Sequence, residues 1–523
     1  MYSRRDFLRA GAVAAGALSF GPALWRNALA GSRPGPGPYG PLQPPDANGI
    51  MLPAGFSSRE IARGNAPVPG IDYVWHQWSD GAATFPAEDG GWILVCNSEV
   101  PPDVGVPLQE QLGGGGASAL RFRSDGTVAD GYRVLRDTST NCSGGPTPWG
   151  TWLSCEEHDK GMVWECDPLG VQPQTAYPAM GVFEHESAAV DGAGKRVYLS
   201  EDRADGGFYR YTPDRWPDLS SGLLEAATVH SDGLVTWARV PDPSGSTMPV
   251  REQVPERTQF ARGEGLWFDA GYVYLSTTND SKVHEFDTRN DGYQILYDGV
   301  TISDPALTRV DNLTASPLTG DIFVCEDNSE ETLDIGIISV EGEVSRFLTV
   351  TGTQHTQSEL AGVCFNPAGD RMYFSSQRAF GPGVTYEITG PFRTQRPADG
   401  RARSRAKVRA VRVASHEGVL KRGLTASVLG APPGARVSVR LRATLRKGPR
   451  ARPVTLARAS GAMPADGRRL DVDLRPGRSM RRRLRKRRLV NARLVAFVSN
   501  EGRRERLPRR RVRLRSRRRG RRR

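Results

Sequence analysis

The feature that most constrains this chain is a recurring unit of short strands in which acidic residues fall at the same place. The clearest copy spans residues 186–211, E-S-A-A-V-D-G-A-G-K-R-V-Y-L-S-E-D-R-A-D-G-G-F-Y-R-Y: a strand, a tight turn, a strand ending in carboxylates, a loop and a further strand. Copies follow at 264–286, 311–338 and 359–387, and two looser ones precede them at 92–122 and 141–165. Most lie about 45 to 50 residues apart, further where loops are inserted around 101–141 and 213–261. Short strands at that period, with almost no helical periodicity, predict an all-β fold, a β-propeller of about six blades. Paired sheets of a sandwich give no reason for the period.

In a propeller the innermost strands line a central channel, so equivalent positions from every blade meet near its axis. The polar positions in register are Glu99; Glu156 and Glu157; Glu186, Glu201 and Asp202; Glu264, Asn279 and Asp280; Asp311, Asn312, Glu326, Asp327 and Asn328; and Glu359, Ser376 and Gln377. One acidic pair at a strand end is ordinarily a solvated turn. Six in register crowd carboxylates at a cost in repulsion and desolvation, and bound multivalent cations relieve it. The reading is a polymetal site at one channel mouth. Its candidate ligands are Glu99, Glu156, Glu157, Glu186, Glu201, Asp202, Glu264, Asp311, Glu326 and Asp327, joined by Cys142. Carboxylate oxygens suit calcium, and a thiolate suits iron.

Cys142 opens the stretch N-C-S-G-G-P-T-P-W-G-T-W-L-S-C-E-E at 141–157. With Tyr39-Gly40-Pro41-Leu42, Asn48-Gly49-Ile50 and Leu52-Pro53-Ala54-Gly55-Phe56, this stretch resembles the PhoX family of secreted bacterial phosphatases, over roughly residues 37–395. The resemblance implies a propeller whose cluster of two irons and calcium ions acts on phosphate monoesters. It also implies an arginine on the phosphate. Arg309, two residues before Asp311, resembles that arginine and the iron-ligand glutamate that follows it, with Asp here in place of Glu. His185 beside Glu186 is a possible donor to a ligand and is left out of the ligand set. Two other classes stay open: a calcium-dependent propeller hydrolase of another type (lactonase or phytase-like), and a non-catalytic exported propeller that binds a partner.

Residues 1–30 read as a twin-arginine export signal: Ser3-Arg4-Arg5-Asp6-Phe7-Leu8, an Ala/Gly-rich run, and a small-x-small end at Ala28-Leu29-Ala30. The apolar run is too short for a transmembrane anchor. Export places the mature protein in the periplasm, at the cell wall or outside. Cys96, Cys155 and Cys325 close equivalent strands and Cys364 lies within one, which argues for core residues over disulfide partners; a Cys142–Cys166 bridge stays open. The formal +13 conceals a split: residues 401–523 hold 42 basic and 6 acidic side chains, and residues 31–400 hold 25 and 51. The propeller is expected over 31–389 and a linker over 390–406. A small basic β-sandwich follows over 407–515, from its period-two alternation, and an Arg-rich disordered tail over 516–523. Scarce aromatic residues and the export signal argue against nucleic acid as its partner. The partners expected are small phosphate esters at the site and, at the basic domain, anionic cell-wall polymer, with capture of polyanionic substrate or contact with the acidic body as alternatives.

Overall fold

The structure is a computed structural model that describes residues 32–394, except 102–114, 329–331 and 341, and eight elements and short stretches between 407 and 515. The export signal, most of the linker at 390–406 and the tail at 516–523 lie outside the described residues. The chain divides into two compact units, Met1–Gly400 and Arg401–Arg523.

Among the described residues the first unit holds six sheets, each running in chain order from the axis outward except where strands from the start of the unit join an outer edge; all pairings are antiparallel but that of Arg33–Pro34 with Glu343–Thr351. Their innermost strands are Ser79–Pro86, Asn141–Pro146, His185–Asp191, Gly263–Asp269, Val310–Ala315 and Leu360–Phe365. Each touches the next in turn, and the sixth touches the first, so the ring closes as a six-bladed propeller. Closure is made by the start of the unit: Ser57–Arg63 is the outermost strand of the last blade, antiparallel to Val384–Thr389. Near the axis the blades approach so closely that a side chain at Gly81 would meet Ser143 Cα at 2.4 Å. Gly362, at φ +65°, faces Asp80 backbone oxygen in the same way.

Alternation sets the rest. Second strands such as Trp92–Ser98 and Ile322–Glu326 are buried throughout, because both sheet faces pack against neighbouring blades. Cys96, Cys155, Cys325 and Cys364 are free and fully buried, as their equivalent positions imply. Cys142 and Cys166 are free as well, and no bridge joins them.

In the second unit two sheets share one core. Lys407–Ala410, Leu424–Leu429 and Arg469–Leu474 form one; Pro453–Ala462, Arg436–Thr444, Leu489–Asn500 and Arg503–Arg515 form the other. Leu424, Ala426, Val428 and Val472 meet Val437, Val439, Leu441 and Leu494 between them, with Leu484 of the helix Arg478–Arg485. Arg440 alternates with these apolar residues and pairs across the sheet with Arg458. This is the basic sandwich expected from the alternation.

The closing strand gives a test. Ile61 is 3% exposed and packs in one cluster with Trp75, Cys364 and Tyr373, joining the last blade to the first. Ile61→Ala is expected to cost about 2–4 kcal/mol in the unfolding of the propeller, followed by denaturant titration. A loss under about 1 kcal/mol would mean that closure does not rest on this side chain.

Candidate metal centre

All six inner strands slip register against the second strand just inside the same end. The slips fall between Ser79 and Ala82, Asn141 and Gly144, His185 and Ala188, Gly263 and Leu266, Val310 and Leu313, and Ala361 and Cys364. An extra residue there re-aims its side chain. The positions involved are Asp80, Cys142, Glu186, Glu264, Asp311 and, in the sixth blade, Ala361. A second ring of equivalent positions lies where the second strands end: Glu99, Glu157, Asp202, Thr278, Asp327 and Gln377. The backbone N–H of each donates to a carbonyl on a third ring: Trp78, Thr140, Glu184, Arg262, Arg309 and Glu359. Six blades thus build one mouth from the same three positions.

Nine acid and thiol groups from these rings form a continuous chain. Ligand atoms lie within 4.8 Å of one another in four overlapping groups: Asp80, Glu99 and Cys142; Cys142, Glu157 and Glu186; Glu186, Glu264 and Asp311; and Asp311, Asp327 and Glu359. Burial, with neighbouring carboxylates adding to it, pushes Asp80, Glu157, Glu186, Glu264 and Asp311 well above the usual carboxylate range. Burial and the same acids push the Cys142 thiol up. Glu186 is 1% exposed, and its Oε1 has no hydrogen-bond partner. A buried, unpartnered carboxylate oxygen among acids that resist ionisation fits a cation, which would satisfy the oxygen and stabilise the charged forms.

Three arginines hold part of this charge. Arg262 donates to both Asp202 oxygens and, at 3.0 Å, to Asp327 Oδ2, and lies 2.9 Å from Glu264 Oε1. Arg378 spans Glu359 and Glu99 at 2.9 and 3.1 Å. Arg309 donates to the backbone oxygen of Asp327 and to its Oδ2 at 3.1 Å, and its side chain is the most exposed of the three, at 46%.

The structure brings together seven of the eleven residues expected as ligands: Glu99, Cys142, Glu157, Glu186, Glu264, Asp311 and Asp327. Asp202 stands at the same mouth, tied to Arg262 and outside the four groups. Glu156, Glu201 and Glu326 require a correction. Each is the last residue of its strand, and alternation turns it away from its neighbour on the ring and into the blade. Glu156 accepts from the backbone N–H of Ser139 and Met162. Glu201 accepts from Gly207 N–H and the Tyr209 hydroxyl. Glu326 accepts from the N–H groups of Thr308 and Asp334. These carboxylates brace loops. In the fourth blade the ring position is Thr278, and Asn279 and Asp280 lie past it; Asp280 pairs with Lys282. His185 faces Gly181 backbone oxygen at 3.0 Å.

Asp80 and Arg378 were not foreseen, nor was Arg262, and Glu359 was noted in register without being counted a ligand. Asp80-Gly81 lies one hairpin before Trp92–Ser98, as Glu264-Gly265 lies before its own second strand, and that spacing would have found it. Arg262 stands two residues before Glu264, as Arg309 does before Asp311.

The family model for alkaline phosphatase PhoX matches residues 88–162 and 158–298. The matched residues include Glu99, Cys142, Glu157, Glu186 and Glu264; Asp80, Arg309, Asp311, Asp327 and Glu359 fall outside them. No protein of curated function matches the chain. Among solved structures, a gluconolactonase from Xanthomonas campestris is similar at 16% identity and a TM-score of 0.37, over 68% of this chain and 99% of that one. A chain of a nidogen/laminin complex is similar at 12% identity and 0.34, over 59% and 98%.

A pH dependence follows from the buried acids. Burial lifts Glu326 and Glu359 from 4.5 to about 7. Between those values the unfolded chain releases protons that the folded chain keeps. The stability they contribute is therefore full below pH 4.5 and lost as pH rises through about 7. Chelator-treated protein is expected to melt at a lower temperature at about pH 8 than at about pH 5, read by calorimetry, and added divalent cation is expected to reverse the loss. Equal melting at both pH values without metal would show that these acids carry no such penalty.

Proposed function

We propose that this chain, which the PhoX family model matches over residues 88–298, is an exported, metal-dependent phosphatase. It hydrolyses phosphate monoesters at an iron- and calcium-containing centre in the channel mouth. The observation that carries the reading is the convergence of nine acid and thiol groups from six blades in four overlapping groups. Two of those groups share Cys142, and their mixed sulfur and oxygen donors suit iron. The other two offer carboxylate oxygen alone, which suits calcium. When bound, such cations supply Lewis-acid charge for the phosphoryl oxygens and lower the pKa of coordinated water.

The chain's own residues do the positioning. Asp80, Glu99, Cys142, Glu157, Glu186, Glu264, Asp311, Asp327 and Glu359 hold the metals. Arg262 and Arg378, each engaged with carboxylates on two or more blades, keep the acidic rings in register. Arg309, the most exposed, presents a planar fork that matches a phosphate. Its backbone sits at φ 45°, a left-handed conformation rare outside glycine, fixed by its bonds to Asp327 and Ser281. The basic sandwich holds the enzyme near anionic cell-wall polymer. Over residues 401–523 six carboxylates cannot neutralise 42 cations, which favours a polyanion.

Cys142→Ser tests the centre. Serine stays protonated at neutral pH and is a far poorer ligand, so iron content and turnover of a chromogenic phosphate ester are expected to fall by orders of magnitude in a folded protein. Cys155→Ser, in a fully buried core position, is the control: it is expected to cost about 1–3 kcal/mol of stability with metal content per folded molecule retained. Normal iron and turnover in the Cys142 variant would falsify the centre as assigned.

Deleting residues 400–523 tests the sandwich. Turnover of a small ester is expected to be nearly unchanged, while retention on an anionic surface weakens and loses its steep salt dependence, screening lengths being about 10 Å at 0.1 M salt. Loss of turnover on truncation would make the sandwich part of the enzyme.

A further inference from the structure

The outermost of the three rings at the mouth carries side chains of different chemistry at one structural position. Arg262 and Arg309 hold it in the fourth and fifth blades, Glu359 in the sixth, and Trp78 in the first. Trp78 is built in rather than left over. Its φ is 52°, and its backbone N–H donates to Pro382 oxygen at 2.9 Å. Its carbonyl accepts from Glu99 N–H at 3.0 Å, and its indole N–H donates to Gly381 oxygen at 3.0 Å. A bulky residue in the left-handed region is strained, and it persists only where its surroundings over-determine it.

The ring lies beside the metal-ligand groups. Arg378, which bridges Glu99 and Glu359, has its guanidinium carbon 5.5 Å from the Trp78 ring. Two residues on, Phe380 is 56% exposed at φ 55°, with the Arg63 guanidinium 4.5 Å over its ring. Phe380 belongs to none of the buried apolar clusters, and a large exposed aromatic in a strained loop contributes little to the core. Trp78 and Phe380 thus stand on neighbouring segments, joined by the Trp78–Gly381 and Trp78–Pro382 hydrogen bonds.

We propose that Trp78, with Phe380 beside it, is an aromatic seat for the leaving group of the substrate, selecting phosphate monoesters that carry a flat base, nucleoside monophosphates above all. The phosphate would lie at the metals and the guanidinium of Arg309, on the fifth blade next to the sixth, while the base stacks on the rings of the first and sixth blades. Stacking is tolerant of base identity, because every base has a π face. The seat therefore selects the class and not the individual base. The inference rests on the phosphatase reading and adds to it a substrate class.

The test compares kcat/KM for adenosine 5′-monophosphate and for glycerol phosphate in the full-length, metal-loaded enzyme and in Trp78→Ala, Trp78→Phe and Phe380→Ala. The wild type is expected to favour the nucleotide. Trp78→Ala is expected to reduce that preference about tenfold, chiefly through KM, with Trp78→Phe keeping most of it. Phe380→Ala is expected to reduce it by a smaller factor. Should Trp78→Ala fail to fold, the exposed Phe380 position decides. A wild type without nucleotide preference, or variants that lower both esters equally, overturns the seat and leaves the phosphatase reading standing. A wild type that hydrolyses neither ester overturns the phosphatase reading and the seat with it.

Discussion

Repulsion among like charges governs this molecule. Eight carboxyls and a thiol meet at one mouth, most of them buried, where the effective dielectric is low and uncompensated charge is costly. The propeller can hold them there because its ring is closed by a strand from the start of the unit, Ser57–Arg63 on Val384–Thr389, so the acids cannot separate without opening a blade. Arg262 and Arg378 offset part of the charge, each binding carboxylates from different blades. Glu186 Oε1 retains no partner, and that deficit is the physical case for a cation.

A period of two sorts the acids into separate tasks. In Glu156-Glu157, Glu201-Asp202 and Glu326-Asp327 the first residue ends a strand and turns into the blade, where backbone N–H groups satisfy it. The second sits one step on, at the mouth. Burial works against ionisation of Glu156, but His158 at 3.8 Å and the backbone N–H groups of Ser139 and Met162 outweigh it and hold its carboxyl below the usual range. The same burial lifts Glu326 to about 7, where Asp334 is the largest further cause. The inward acids thus brace the loops on which the mouth residues stand.

The outer ring shows how one backbone position serves several chemistries. Trp78, Thr140, Glu184, Arg262, Arg309 and Glu359 all accept the same backbone hydrogen bond, and Trp78, Thr140, Arg262 and Arg309 hold positive φ. The scaffold fixes the backbone six times over, which frees each side chain to differ. Charge, aromatic surface and ligand oxygen can then be distributed around the mouth without altering the fold.

Much of this was legible in the chain itself. Strand period, turn residues and the recurrence of acids at strand ends determined an all-β propeller with a polar mouth, because local alternation and burial act within a few residues of sequence. The split between an acidic body and a basic sandwich was plain from charge and alternation. Tertiary structure alone decided which member of each acidic pair faces the channel, since a register slip of one residue reverses a side chain and no local pattern announces the slip. It also decided the partners: Arg378 reaches Glu99 across 279 positions of sequence, and Gln377 reaches Asp80 across 297. Ring closure brings such residues together, and their meeting depends on blade geometry rather than on any spacing along the chain.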